Sequence, residues 1–73
     1  MPIKINDDFM CLEIDGIVIA TARMQADGWW EVSYWPRFFD RNQAITALTV
    51  TELLETGRDS GDRVVKALRE ELR

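Results

Sequence analysis

The sequence contains no histidine, and Cys11 is its only cysteine. Without histidine the chain lacks the commonest metal ligand and the usual general base near neutral pH. A lone cysteine forms no disulfide within the chain, completes no ordinary Cys/His zinc site, and has no histidine to activate its thiol. We therefore expect Cys11 to be a half-buried strand residue, and we expect no metal and no cofactor.

Basic residues and long apolar runs are also scarce. Nine Lys and Arg oppose 13 Asp and Glu, so the formal net charge is −4 and the pI is about 4.6. This acidic balance argues against duplex nucleic acid as a ligand. The longest apolar runs, of which Ile17 to Ala20 is one, are far too short to span a bilayer, and the N-terminus lacks the apolar stretch of a signal peptide. We expect a soluble, cytoplasmic protein.

The chain has 73 residues, of which 47% are hydrophobic and 30% are charged. This composition is typical of a folded chain, and the length fits a single domain over residues 1–73, near the lower limit for one hydrophobic core. Adjacent carboxylates such as Asp7 with Asp8 and Glu70 with Glu71 are expected to be solvated surface, and Glu13 with Glu31 is the stronger candidate pair for acid–base catalysis. Such a pair needs a cleft, and a chain this short has little to build one with. We therefore predict that the protein is not an enzyme.

Alternating apolar residues and turn signals predict a three-stranded antiparallel meander. The predicted strands cover residues of about 9–14, 17–24 and 29–35. Asp15-Gly16 and Asp27-Gly28 have the composition of two-residue hairpin loops, and Pro36 ends the third strand because it lacks a ladder donor. An additional short edge strand around Ile3 and Ile5 is an alternative.

Two helices are predicted to follow, over residues of about 41–56 and 60–72. Asp40 with Gln43 has the spacing of a capping box, and Gly57 is placed to end the first helix in a left-handed conformation. Asp59 or Ser60 is expected to cap the second helix. The order βββαα predicts an α+β fold, a two-layer sandwich whose helices cover one face of the sheet.

Two-residue loops would also determine the strand register, because the residues that flank such a loop face each other. The core side would then hold Met10, Leu12, Ile14, Ile17, Ile19, Thr21, Trp30, Val32 and Tyr34, with Arg23 at its rim. The uncovered side would hold Cys11, Glu13, Val18, Ala20, Ala22, Met24, Trp29, Glu31, Ser33 and Trp35. A loop of odd length, such as a turn with a bulge, would swap the assignment of one strand.

The uncovered side is a candidate for self-association, because it is too apolar for plain solvent exposure. We predict a homodimer that stacks two such faces through Val18, Ala20, Ala22, Met24, Trp29 and Trp35.

A second candidate surface is the aromatic segment 29–41. It predicts a partner-binding patch of Trp29, Trp35, Arg37, Phe38, Phe39 and Arg41, because Trp and Arg dominate contact energetics. In the alternative, Phe38 or Phe39 packs before the helix as a hydrophobic staple while the arginines stay solvated. Single-stranded nucleic acid could stack on the same residue types, which leaves a second binding function open.

Parts of this segment resemble known families. Trp30 to Ser33, Trp35-Pro36 and Arg41 to Leu48 resemble a family of short uncharacterised proteins from actinobacteria and their phages. That resemblance implies no specific function, although an accessory role against a host or toxin protein would suit a phage protein. Asp27 to Trp29, Val32, Pro36, Ala44 and Ala47 are similar to the sheet and helix of HicB-type antitoxin domains, without the Gly-x-Thr signature before the helix. This second resemblance implies a toxin as the partner.

Overall fold

The computed structural model describes residues 3–72. One antiparallel sheet has its strands in sequential order, and two helices follow it. The strands are β1 (Ile3–Ile5), β2 (Phe9–Ile14), β3 (Ile17–Met24), β4 (Trp30–Val32) and β5 (Phe38–Phe39). The helices are α1 (Arg41–Glu55) and α2 (Arg63–Glu70). The predicted α+β class is confirmed.

The predicted strand count was wrong, because the described sheet has five strands rather than three. The first addition is β1, which pairs Ile3 with Leu12 and is the edge strand left open as an alternative. The second is β5. The predicted strand 29–35 ends at Val32, because Tyr34 adopts a positive φ of 71° and turns the chain. Phe38 and Phe39 then pair back onto β4 as a separate strand.

The first hairpin turn forms as predicted. Asp15 and Gly16 both adopt positive φ, 52° and 79°, and Ile14 pairs with Ile17. Positive φ at both central residues is the conformation of a type I′ turn, for which Asp-Gly is a favoured sequence.

A bulge shifts the register within this hairpin. Glu13 pairs with Val18 but Leu12 pairs with Ala20, so Ile19 is an extra residue in β3. An extra residue moves every later side chain of the strand to the opposite face. The predicted register was therefore wrong from Ala20 onward: Ala20 and Ala22 are buried in the core, at 3% and 0% exposure, and Thr21 lies on the opposite face.

The second hairpin loop is one residue longer than predicted. The Gln25 amide donates to the Trp29 carbonyl at 2.7 Å, and the three residues between them form the loop. Gly28 takes the left-handed position, with φ of 89°, as is typical of a three-residue hairpin loop. Met24 consequently pairs with Trp30, rather than Ala26 with Trp29. The two one-residue shifts cancel at β4, so Trp30 and Val32 are buried as predicted.

The core lies between one face of the sheet and α1. The buried residues of this cluster are Ile3, Met10, Leu12, Ala20, Ala22, Trp30, Val32, Phe39, Ala44, Ala47, Leu48 and Leu72. Ala44 and Ala47 of α1 are fully buried in the same cluster as the large Trp30 side chain, and α1 contacts β4. Ile17 and Tyr34, predicted on the core side, are instead exposed at 64% and 84%.

The predicted capping box of α1 is confirmed. The Gln43 amide donates to Asp40 Oδ1 at 2.8 Å, and the Asp40 amide donates to Gln43 Oε1 at 3.2 Å. Helix α2 begins later than predicted, because its N-cap is Asp62, which accepts from the Val64 amide at 2.8 Å, and not Asp59 or Ser60. Helix α2 packs on α1 of the same chain, and Val65 is fully buried.

Candidate interaction surface

Two rows of side chains cross the sheet face that the helices leave uncovered, and we call this surface the open face. Residues that are paired across neighbouring strands point to the same side of a sheet. The first row consists of Phe9, Arg23, Glu31 and Phe38, from β2 to β5. The second row consists of Lys4, Cys11 and Thr21, from β1 to β3, and continues to Ser33.

The first row has two charges at its centre and an aromatic ring at each end. Arg23 and Glu31 are exposed and directly opposite each other on β3 and β4. Within residues 3–72, neither belongs to an ion pair. Phe9 is half-buried and Phe38 is 53% exposed. The row therefore presents unpaired charges of both signs beside apolar area.

The second row is formed by smaller side chains. The hydroxyl oxygens of Thr21 and Ser33 are 3.2 Å apart, and the Thr21 amide donates to Ser33 Oγ at 3.2 Å. Cys11 lies next to Thr21 and is half-buried, as expected from the sequence. At the edge, Lys4 Nζ donates to Glu13 Oε2 at 3.3 Å. The short side chains at the centre of this row consequently allow the surface of another molecule to approach the sheet closely.

Trp29 extends the open face beyond the first row. It precedes the buried Trp30, so strand alternation places it on the side of Glu31, and it is 51% exposed. Its amide donates to Asp27 Oδ1 at 3.1 Å, which holds the loop in place. Phe38, in the first row, and Trp29, beside that row, are thus the two predicted partner-binding aromatics that the fold leaves exposed at the open face.

The other aromatic residues of the predicted patch pack inside the chain. Phe39 is fully buried, and the Trp35 ring meets it edge to face with a centroid distance of 5.6 Å. The guanidinium carbon of Arg37 lies 4.9 Å from the centroid of the same ring, and Arg37 donates to the Leu72 carbonyl. Phe39 therefore leaves the partner-binding set, and Trp35 and Arg37 stabilise the core margin. Arg41 is exposed at the first residue of α1.

The predicted self-association set is only partly on the open face. Ala20 and Ala22 are buried beneath α1, and Met24 lies on the helix side of the sheet at its edge, 43% exposed. Val18 is 54% exposed at the hairpin tip, paired with Glu13. Sequence reasoning missed Phe9, Thr21 and Arg23 as open-face residues. Thr21 and Arg23 lie on the open face because of the bulge at Ile19. This bulge is recognisable only from the pairing of β3 with β2.

A shallow pocket of about 370 Å³ lies where β4 turns toward β5, lined by residues 31–38. The Trp35 amide donates to the Val32 carbonyl at 3.2 Å and closes this turn. Tyr34, at the turn, combines 84% exposure with its positive φ of 71°. A left-handed conformation costs a bulky L-residue about 1–2 kcal/mol, so the turn holds Tyr34 outward against its backbone preference.

Acidic groups do not converge on the open face. Glu13 is bound by Lys4, and Glu31 lies on β4 with β3 between them. Within the described part of the chain, no group of His, Cys, Asp and Glu side chains is arranged to hold a metal ion.

The pKa of Asp62 is lowered, chiefly by the Val64 amide that it accepts from, and Arg58 lowers it further. Over residues 3–72, no helix has the length and apolar character to cross a membrane.

Comparison of the chain with protein-family models, with curated proteins and with solved structures finds no match. The two resemblances drawn from the sequence stay predictions. The interpretation of the open face consequently depends on its own residues.

Proposed function

We propose that this chain is a small non-enzymatic protein-interaction module that associates through its open face, in the simplest case with a second copy of itself. The observation that carries this proposal is the first row of the open face, where Phe9 and Phe38 flank two charged residues without ion-pair partners. Aromatic residues and Arg are the types most enriched where protein surfaces bind each other.

An antiparallel sheet with one face in water usually alternates cleanly, with polar residues outward. Here the outward positions include Phe9, Cys11 and Phe38, with Trp29 beside them. A domain of this size buries a smaller fraction of its surface on folding than a larger one does. Covering such a face with a partner therefore adds proportionately more buried surface, and more stability, than it would in a larger domain. Both arguments favour a face that is covered by a partner.

The charges of the open face favour protein over single-stranded nucleic acid. Lys4 is bound to Glu13, and Arg23 faces Glu31, so the surface offers no continuous basic path for a phosphate backbone. Two of the residues expected to stack bases, Trp35 and Arg37, instead contact Phe39. A half-buried free thiol at Cys11 suits a reducing compartment, which is consistent with a cytoplasmic location.

The test is the solution mass by size-exclusion chromatography with light scattering, from about 10 to about 500 µM, a range that covers weak interfaces. We expect the native chain to pass from monomer to dimer. Thr21→Lys, at the centre of the open face, should abolish this change. Ser60→Lys is the matched control, because Ser60 is exposed in the loop between the helices.

Circular dichroism of both variants checks that each remains folded. A native chain that stays monomeric over the whole range would contradict self-association and direct the search to another protein. A Thr21→Lys variant that is folded and as dimeric as the native chain would show that the open face is not the interface.

A further inference from the structure

The first row of the open face is self-complementary. In strand order it reads Phe9, Arg23, Glu31 and Phe38, so reversing it exchanges a ring for a ring and a cation for an anion. We propose that the partner is a second copy, stacked face to face about a two-fold axis that runs between β3 and β4, nearly parallel to the strands. This inference rests on the proposed function of the open face.

The charges of Arg23 and Glu31 favour this axis over one that runs along the row. A two-fold axis in the interface and parallel to the strands places β3 over β4 of the second copy, so each Arg23 faces a Glu31 across the interface. An axis along the row would place each Arg23 over its own symmetry mate. Like charges that meet in an interface cost enough to exclude an arrangement. The absence of an ion-pair partner for Arg23 and Glu31 within residues 3–72 leaves both available for the intermolecular pairs.

The same axis accounts for the neighbouring residues. It places β2 over β5 of the second copy, so Phe9 meets Phe38 at each end of the row. Two ring contacts then flank two ion pairs and shield them from water, as the surrounding contacts exclude water from the energetic centre of other interfaces. In the second row, Thr21 lies over Ser33 of the second copy. Both side chains are short, which allows the spacing of about 10 Å at which sheets pack.

The size of the face predicts weak binding. The five strands have 3, 6, 8, 3 and 2 residues. At about 3.3 Å per residue and about 4.8 Å between strands, the sheet face of each copy covers roughly 350 Å², which is below the usual size of a specific interface. The ion pairs in such an interface contribute mainly to its register, because desolvation offsets much of their attraction. The dimer should therefore be reversible, with an arrangement that depends on charge.

Charge reversal tests the arrangement. Arg23→Glu alone and Glu31→Arg alone each create like-charge contacts in a homodimer, and each should weaken association by more than about tenfold. An equimolar mixture restores both pairs between unlike chains, so it should form a heterodimer, which native mass spectrometry distinguishes by mass. The double variant should form a homodimer again. Lys66→Glu, the same charge change on the exposed side of α2, is the control and should not alter association.

Each outcome has a separate meaning. If the native chain dimerises and the mixture of single variants does not, this arrangement is wrong and the proposed function stands. If the native chain is monomeric throughout, the proposed function itself fails for self-association. If a charge-reversed variant does not fold, Arg23→Gln and Glu31→Gln replace it. Added salt should weaken association of the native chain but not association of either glutamine variant. Unchanged salt dependence in these variants would overturn the arrangement.

Discussion

The guanidinium carbon of Arg37 lies 4.9 Å from the centroid of the Phe39 ring, over a residue that has no exposed surface. Arg37 also donates to the carbonyl of Leu72, at the end of the described chain. One arginine thus connects the loop before β5 to the segment after α2. Its position gives Arg37 a structural role that its sequence neighbourhood, rich in aromatic residues, did not indicate.

Replacing Arg37 with alanine should lower the free energy of unfolding by about 1–3 kcal/mol, because a charge-assisted hydrogen bond and a cation–π contact are lost. Urea denaturation measures this change. Arg41→Ala is the matched control. Arg41 is exposed at the N-terminus of α1, where a cation is unfavourable to the helix dipole, so its removal should cost nothing. Equal stability of both variants would contradict the structural role of Arg37.

Phe38 and Phe39 are neighbours with the same side chain and opposite environments, 53% and 0% exposed. Phe39→Ala should lower the free energy of unfolding by about 3–5 kcal/mol, because a large cavity opens in the core. Phe38→Ala should change it by less than about 1 kcal/mol, since it removes mainly exposed surface. Thermal and urea unfolding compare the two directly. Similar losses for both would show that β5 does not have the pairing described.

Tyr34 should be replaceable by glycine without loss of stability. Its backbone has a φ of 71°, and its side chain is 84% exposed, so little burial is lost. Tyr34→Gly should raise the free energy of unfolding by about 0.5–1 kcal/mol, because relief of backbone strain exceeds the entropy that glycine adds to the unfolded chain. Tyr34→Ala keeps the strain and should show no gain. A stability loss on glycine substitution would mean that the Tyr34 ring makes stabilising contacts.

Low pH should destabilise α2, because protonation of its N-cap residue, Asp62, weakens the cap. The Val64 amide, with smaller contributions from the Val65 amide and then from Arg58, lowers the pKa of Asp62 below its ordinary value of 3.8 in the folded chain. The ionised cap therefore stabilises the fold fully above that value and less as the pH falls through the lowered folded-state pKa. Asp62→Asn keeps a capping oxygen that does not titrate. The stability difference between native and variant chains should be constant above pH 3.8 and should change below it; a difference independent of pH would contradict the assignment.

Features that depend on a few consecutive residues were predictable. The Asp15-Gly16 turn and the Asp40–Gln43 capping box each involve a hydrogen-bonding or conformational preference that is local to the chain. The bulge at Ile19 was not predictable in this way, because it exists only relative to the pairing of β3 with β2. One extra residue there exchanged the faces of Ala20 and Thr21, and with them part of the predicted self-association surface.

By itself, the sequence determined the α+β order, the turn and the helix start, and it excluded histidine chemistry and internal disulfides. Tertiary structure alone decided that Phe39 is core while Phe38 is surface, and that Arg37 reaches Leu72. The physical reason is the range of the interactions. A turn or cap is complete within about four residues, whereas the face of a strand depends on partners far away along the chain. The residues that form the open face could therefore be identified only from the tertiary structure, because they depend on how the strands pair.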